Sequence, residues 1–228
     1  MRVRPVARGA GATAYKRARM SPGRTPWSAA RYCTVDLELS GLDPRRDEIV
    51  SFGAIPIEDG RVQLSAAVHG RVRPSGPIGE AAIRVHGIRA VDLADAPPLD
   101  LAIDPLLAVM AGRVPVVHVA AIERGFLRPA LRRQGLRLRR PMIDTSVLGL
   151  LWLHERGGQG PRRMSLSGLA EALGLPVHRP HDALGDALTT AQAFIALATH
   201  LDARGPETVR SLTAAGRRLE SLLAYRLR

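Results

Sequence analysis

The stretch Tyr32-Cys33-Thr34-Val35-Asp36-Leu37-Glu38-Leu39-Ser40-Gly41-Leu42 decides the fold. It has the pattern of a buried β-strand, yet it carries two acidic residues, which are depleted in strands and seldom buried unless paired or metal-bound. Because side chains alternate along a strand, Asp36 and Glu38 lie on one face. Two adjacent carboxylates both stay ionised when a cation lies between them, and oxygen ligands suit Mg²⁺. The pair therefore indicates a divalent-metal site or, alternatively, an exposed acidic pair at a strand end.

The length and composition of the chain predict one sizeable hydrophobic core. The chain has 228 residues, 46% of them hydrophobic, which favours a single domain with extensions. No apolar run reaches about 18 residues and no secretory signal is evident, so we expect no membrane contact. Cys33 is the single cysteine, which excludes an internal disulfide and a cysteine-rich metal site. We therefore expect a cytoplasmic protein.

Positive charge is concentrated at the start of the sequence. Residues 1–32 hold eight basic residues and no acidic one, against a net charge of +12 for the whole chain. Together with frequent Gly, Ala and Pro, this predicts a basic, disordered extension over residues 1–29 that could contact polyanions. A proteome rich in Arg and Ala explains the same charges without any such contact.

The pattern of elements predicts an α/β fold with a mixed five-stranded sheet flanked by helices. The first three strands, at 32–39, 47–57 and 62–72, are joined by short turns, including Asp59-Gly60, and so pair antiparallel. Two short strands follow, at 114–119 and 142–144. Helices are predicted over parts of 78–112 and over 122–134, 145–153, 165–173, 183–201 and 207–227. We expect one domain at 30–204, with a C-terminal helix within 205–228 packing on it.

Two downstream clusters can complete an acidic site. Glu123 follows a buried strand at the start of a helix, where a carboxylate is also stabilised by the helix dipole alone. His181 and Asp186 flank the first turn of the long helix at 183–201, and either could simply be a cap or a surface residue. Small residues around them, including Gly185, would let this turn lie close to the sheet. The acidic strand upstream favours the functional interpretation.

Three motifs resemble those of DnaQ-like 3′–5′ exonucleases, in the histidine-containing (DEDDh) branch of the DEDD superfamily, and are similar to DNA polymerase III epsilon-type proofreading exonucleases. The first, Asp36-Leu37-Glu38-Leu39-Ser40-Gly41-Leu42, matches the family pattern Asp-x-Glu-Thr-Thr-Gly-Leu. The second runs from His118 to Leu127 and includes Glu123. The third, His-x-Ala-x-x-Asp-Ala, is complete from His181 to Ala187. The resemblance covers about residues 30–202.

The resemblance implies a ribonuclease H-like sheet and two bound divalent ions, Mg²⁺ or Mn²⁺. Its implied metal ligands are Asp36, Glu38, Glu123 and Asp186. It further implies that His181 is the general base on the attacking water, and that Leu39, Ser40 and Leu42 contact the terminal nucleotide. The implied partners are 3′ ends of single-stranded DNA or RNA and a separate polymerase. The implied products are nucleoside 5′-monophosphates.

The sequence departs from the family pattern at several positions. Leu39 and Ser40 replace two threonines, and Val119 replaces an asparagine. Glu123 stands where the family has Asp, and its extra methylene displaces the carboxylate in a site that tolerates little misplacement. A catalytically weakened fold that binds nucleic acid or a polymerase is therefore an alternative, as is a diesterase acting on small nucleotides.

A run of arginines follows Glu123. It comprises Arg124, Arg128, Arg132, Arg133, Arg137, Arg139 and Arg140. Arg128 and Arg132 share a helix face by their spacing, so the run could follow the phosphate backbone of a single strand. A solvated, Arg-rich helix and loop is an equally good interpretation.

Overall fold

The structure, a computed structural model, describes residues 9–139, 142–157 and 164–226, with side chains described as far as Leu222. Within these ranges the chain forms six strands. They are β1 (Tyr32–Leu39), β2 (Ile49–Glu58), β3 (Arg61–Val62), β4 (Val68–Arg71), β5 (Val114–Val117) and β6 (Ile143–Asp144).

The strands form one mixed sheet with β1 in the middle. Its order is β3-β2-β1-β5-β6, and β4 also pairs with β2. Strand β1 is antiparallel to β2 and parallel to β5, which is parallel to β6. The predicted third strand at 62–72 is two strands, because a 3-10 turn at Leu64–Ala66 interrupts it. The sheet in the described residues therefore has six strands, where the sequence predicted five.

Helices cover both faces of the sheet. They are α1 (Ala10–Arg17), α2 (Glu80–His86), α3 (Leu99–Ala102), α4 (Asp104–Met110), α5 (Ala120–Arg133), α6 (Thr145–Glu155), α7 (Leu166–Ala172), α8 (Ala183–Asp202), α9 (Val209–Thr213) and α10 (Ala215–Arg226). Val35 and Leu37 of β1 belong to the core shared with α4 and α5. Tyr32, on the opposite face, packs against Phe194 of α8, with ring centroids 4.7 Å apart. By alternation, Asp36 and Glu38 face α8.

The beginning of the chain differs from the disordered extension that its composition predicted. Residues 1–8 lie outside the described part, but α1 packs against α4. The Asp104 carboxylate accepts hydrogen bonds from the amides of Gly11 and Ala12, at 3.0 and 2.8 Å. Tyr15 and Trp27 are buried. For residues 9–29 the expectation of disorder was wrong, because a few apolar side chains, diluted among basic ones, suffice to attach the segment to the core.

The end of the chain forms two helices where the sequence predicted one. The predicted helix at 207–227 is divided at Ala214 into α9 and α10. Helix α10 lies against α6, where the Arg218 guanidinium bonds to Glu155 at 3.0 Å. In the described part of the chain, no helix combines the length and the apolar character that crossing a membrane requires.

Candidate active site

Three carboxylates converge at the centre of the sheet. Asp36 and Glu38 project from β1, and Asp186 projects from the first turn of α8. One oxygen from each lies within 4.8 Å of one from each of the others. The two acidic residues of the first motif and the aspartate of the third are thus brought together, as the sequence predicted.

One glycine of the sheet allows α8 to approach this closely, and a second, in α8, lets the preceding loop pack against the helix. Gly53 of β2 pairs with Asp36, and a Cβ at Gly53 would lie 2.3 Å from the Ala183 carbonyl oxygen. A Cβ at Gly185 would lie 2.4 Å from the His178 carbonyl oxygen. Gly185 therefore makes room for the segment at 178–179 that leads into α8 and not for the sheet, so the expected role of this glycine in the approach to the sheet stays a prediction. Gly53 was missed, although a glycine inside a strand often marks close backbone approach.

Glu123 lies beside this group in the first turn of α5. The residue is only 3% exposed, and its Oε2 atom has no hydrogen-bond partner among the described residues. Glu123 is not one of the three residues whose oxygens lie within 4.8 Å of one another. A buried carboxylate oxygen without a donor is costly, so this side chain fits an environment that supplies a cation.

Asp144 holds the start of α5 in place. Its carboxylate accepts hydrogen bonds from the amides of Val119 and Ala120, at 3.1 and 2.8 Å. The same carboxylate caps α6 by accepting from the amide of Ser146 at 2.9 Å. Val119 itself has φ of 66°, an unfavourable conformation for a β-branched residue. One side chain therefore fixes two helix N-termini, including the one that carries Glu123.

The local electrostatics favour cation binding. Burial, and then the charges of Glu123 and Glu38, raise the pKa of Asp36 well above its ordinary value. Burial and the charge of Asp186 raise the pKa of Glu38 to about 7. Burial, followed by the charge of Glu38, raises the pKa of Glu123 as well. Among the described residues, no Arg, Lys or His side chain forms an ion pair with these carboxylates. The all-oxygen donor set and the orphaned Glu123 oxygen fit hard divalent cations such as Mg²⁺ or Mn²⁺.

His181 lies at the mouth of the site. It is exposed, and its backbone has φ of 62°, a conformation that His tolerates better than most residues. Its amide donates to Asp186 Oδ2 at 2.9 Å. That hydrogen bond lowers the pKa of Asp186, but burial has the larger effect and the pKa is raised overall. His181 and Asp186 of the third motif are thus linked through the backbone.

Sequence reasoning missed the part played by His86. Its Nδ1 accepts from the Ile88 amide at 3.0 Å, so the proton resides on Nε2, which donates to the Leu39 carbonyl at 3.1 Å. This ring fixes the end of β1 immediately after Glu38. His86 and His181 line one open cleft of about 680 Å³. The sequence signal that could have indicated this role is the stretch Val85-His86-Gly87-Ile88, in which a glycine with φ of 72° directly follows the histidine.

The three residues expected to contact substrate have different environments. Leu39 is buried, whereas Leu42 is 76% exposed. The Ser40 amide donates to the Glu48 carbonyl at 2.9 Å, and its hydroxyl accepts from the Glu48 amide at 2.9 Å. The Ser40 amide is therefore occupied by Glu48 and has no free N–H to donate to a nucleotide.

The mixed sheet, with its helices on both faces and its central carboxylate cluster, has the architecture of the ribonuclease H-like fold. The sequence model of the RNase T family, described as exonucleases, matches residues 34–194. The chain belongs to this family. This match confirms the resemblance to DnaQ-like exonucleases, and solved structures that share the architecture confirm the ribonuclease H-like fold class.

Relatives carry the names of polymerase III proteins. A DNA polymerase III PolC-type protein of Thermotoga petrophila is 34% identical over 73% of this chain and 12% of its own length. A DNA polymerase III subunit epsilon-like protein of Rhodobacter capsulatus is 33% identical over 81% of this chain and 26% of its own. The chain therefore spans a small part of these relatives.

Solved nucleases share the fold. Exonuclease X in complex with 5′ overhanging duplex DNA has a TM-score of 0.60 and 23% identity, with 81% of this chain and 99% of that chain covered. The nuclease domain of 3′hExo, a DEDDh family member bound to rAMP, has a TM-score of 0.60 and 16% identity, with 78% and 94% covered.

Proposed function

We propose that this protein is a metal-dependent exonuclease that degrades nucleic acids in the 3′–5′ direction and releases nucleoside 5′-monophosphates from single-stranded or frayed ends. We further propose that residues 30–204 form its catalytic domain. The observation that carries the proposal is the convergence of Asp36, Glu38 and Asp186, with buried Glu123 beside them. Four carboxylates in one place, without a basic partner among the described residues, are poorly explained by stability alone.

In this proposal Asp36, Glu38, Glu123 and Asp186 would hold two divalent ions. The ions, when bound, stabilise charge on the attacking and leaving oxygens of the scissile phosphodiester. His181 accepts a proton from the attacking water, a role that the ordinary pKa of histidine suits. Asp186, bonded to the His181 amide, orients the segment that carries this base.

The loop after β1 positions the terminal nucleotide. Leu42 offers an exposed apolar side chain to the terminal bases. Leu39, at the end of β1, is held in position because its carbonyl oxygen accepts a hydrogen bond from the His86 ring. Ser40 contributes by holding the loop closed through Glu48, rather than by donating its amide to the sugar.

A catalytically weakened fold that serves as a nucleic-acid- or polymerase-binding module is the second candidate. Two observations favour this candidate. Glu123 replaces the Asp of the family pattern, and Glu123 is not one of the three residues whose carboxylate oxygens lie within 4.8 Å of one another. The relatives' polymerase III names support the proposal that a separate polymerase is a partner under either candidate.

The test is degradation of a 5′-labelled single-stranded DNA, and of the RNA of the same sequence, with Mg²⁺, Mn²⁺ or EDTA. The Asp36→Asn variant is the matched control, because it removes one charge and keeps the side-chain shape. We expect a ladder that shortens from the 3′ end, requires metal and is absent in the variant. If folded parent protein cleaves neither polymer with either metal, the binding-module candidate replaces the exonuclease.

A further inference from the structure

A second cleft lies along α5, outside the carboxylate site. It has a volume of about 320 Å³ and is lined by Arg124, Arg128, Arg132, Arg137, Leu138, Arg139 and Met142. Five of these seven residues are arginines, and they come from two separate segments of the chain. Five arginines of the run are therefore gathered around one concave surface. Arg140 lies outside the described residues.

The spacing of the helical arginines gives the cleft a direction. Arg124, Arg128 and Arg132 lie four residues apart along α5, so they share one face and span about 12 Å. All three are exposed, and in the described part of the chain no carboxylate lies within ion-pair distance of them. The stripe begins at the residue after Glu123 and leads away from the carboxylate site.

The opposite wall of the cleft is held by the N-terminal helix. The Tyr15 hydroxyl donates to the Arg137 carbonyl at 3.1 Å and accepts from the Arg139 amide at 3.1 Å. The Arg139 guanidinium lies over the Tyr15 ring, 5.2 Å from its centroid, and donates to the Lys16 carbonyl at 2.8 Å. The 137–139 segment is thus positioned by α1, so this wall is a built surface and not a freely solvated loop.

We propose that this arginine cleft binds the phosphate backbone of the nucleic-acid strand whose 3′ end occupies the carboxylate site, several nucleotides from that end. The inference rests on the proposed function and extends it to the strand beyond the terminal nucleotide. Guanidinium groups bind phosphate oxygens in a forked geometry, and a stripe of them neutralises successive phosphates. The described lining contains no aromatic side chain on which a base could stack, so binding here is independent of base sequence.

The experiment measures binding and not cleavage. A fluorescent 20-nucleotide single strand is titrated in EDTA with the full chain, over a range of salt concentrations. The cleft variant is Arg128→Ala/Arg132→Ala. The control variant is Arg61→Ala/Arg133→Ala, whose arginines are also exposed but do not line the cleft. Both variants lose two positive charges, so a general effect of net charge is the same in both.

We expect the cleft variant to bind at least about tenfold more weakly and its salt slope to fall by roughly 1.4, since each single-strand phosphate contact contributes about 0.7. The control variant keeps the slope of the parent, and strands of different sequence respond alike. Equal weakening in both variants would overturn the proposal. So would competition by polyglutamate as effective as that by the oligonucleotide, which would assign the cleft to an acidic protein segment. If the protein binds the strand tightly through the cleft but degrades no nucleic acid, the result would support this inference and overturn the proposed exonuclease activity.

Discussion

Gly53 lies directly opposite Asp36 in the antiparallel pairing of β1 with β2. The absence of a side chain at Gly53 lets the backbone of α8 rest on the sheet beside Asp36, because a Cβ there would meet the Ala183 carbonyl oxygen at 2.3 Å. The distance between Asp36 and Asp186 therefore depends on a residue that has no functional group.

Replacing Gly53 by Ala is expected to push α8 off the sheet. The clash is with backbone, which cannot rotate away, so we expect a loss of about 3 kcal/mol in the free energy of unfolding and a large loss of nuclease activity. Urea unfolding and the nuclease assay measure both. Gly76→Ala is the control, because nothing lies within 4 Å of a Cβ at that position. Parent-like stability and activity in Gly53→Ala would contradict this account of the site.

Asp144→Ala is expected to reduce both stability and activity. The variant removes the acceptor that caps α5 and α6, which is expected to lower the free energy of unfolding by about 1 kcal/mol for each helix. It also releases the start of α5, which carries Glu123. The matched control is Ser165→Ala, which removes the cap of α7, where Ser165 accepts from the Gly168 amide at 3.1 Å. We expect the control to lose stability by about 1 kcal/mol but to keep its turnover rate.

His181→Asn is expected to lower turnover by roughly 10²–10⁴-fold, the usual contribution of a general base. Asn tolerates the positive φ of this position, so the backbone bond to Asp186 persists and Mg²⁺ binding, followed by calorimetry, is retained. His178→Ala is the control, since that ring bonds to Gln192 at 3.0 Å and has no proposed part in the chemistry. An unchanged turnover rate in His181→Asn would remove this residue from the mechanism.

Glu123→Asp is expected to raise Mg²⁺-dependent turnover several-fold. The shorter side chain withdraws the carboxylate by one methylene toward α5, which restores the residue of the family pattern. The ratio of rates with Mg²⁺ and Mn²⁺ is the sensitive measurement, and Glu123→Gln, which keeps the length and loses the charge, is the control. A fall in rate with both metals in Glu123→Asp would mean that the pocket is shaped for Glu.

The metal-free protein is expected to lose stability as pH rises from about 4.5 to 7. The pKa of Glu38 is near 4.5 in the unfolded chain and about 7 in the folded one, so in this window the folded state holds a proton that the unfolded state has released. Ionising Glu38 in its buried place costs about 3 kcal/mol. Unfolding in EDTA at pH 5 and 8 measures the loss.

Two comparisons test the cause of this pH dependence. Adding Mg²⁺ at pH 8 is expected to restore stability, because a cation stabilises the ionised carboxylates. Glu38→Gln in EDTA is expected to show a flatter pH profile than the parent. A parent profile that is flat without metal would show that Glu38 titrates normally.

Much of the architecture was predictable because it depends on local patterns. The alternation in β1 put Asp36 and Glu38 on one face, and the order of strands and helices indicated the mixed sheet. The break of the third strand at Leu64–Ala66 was not predictable, since it depends on how two short strands share β2. The order in residues 9–29 was missed for a related reason. Composition averages over a segment, whereas Tyr15 and Trp27 attach it through contacts with residues far along the chain.

The sequence by itself determined the chemistry of the site, because residue types and their spacing within β1, α5 and α8 are local properties. Only the tertiary structure decided how those elements meet. Gly53 permits the close approach of α8, Asp144 fixes the start of α5, and His86 holds the end of β1. Each acts through a partner at least 24 residues away in sequence, and such distances are set by packing, which no local pattern encodes.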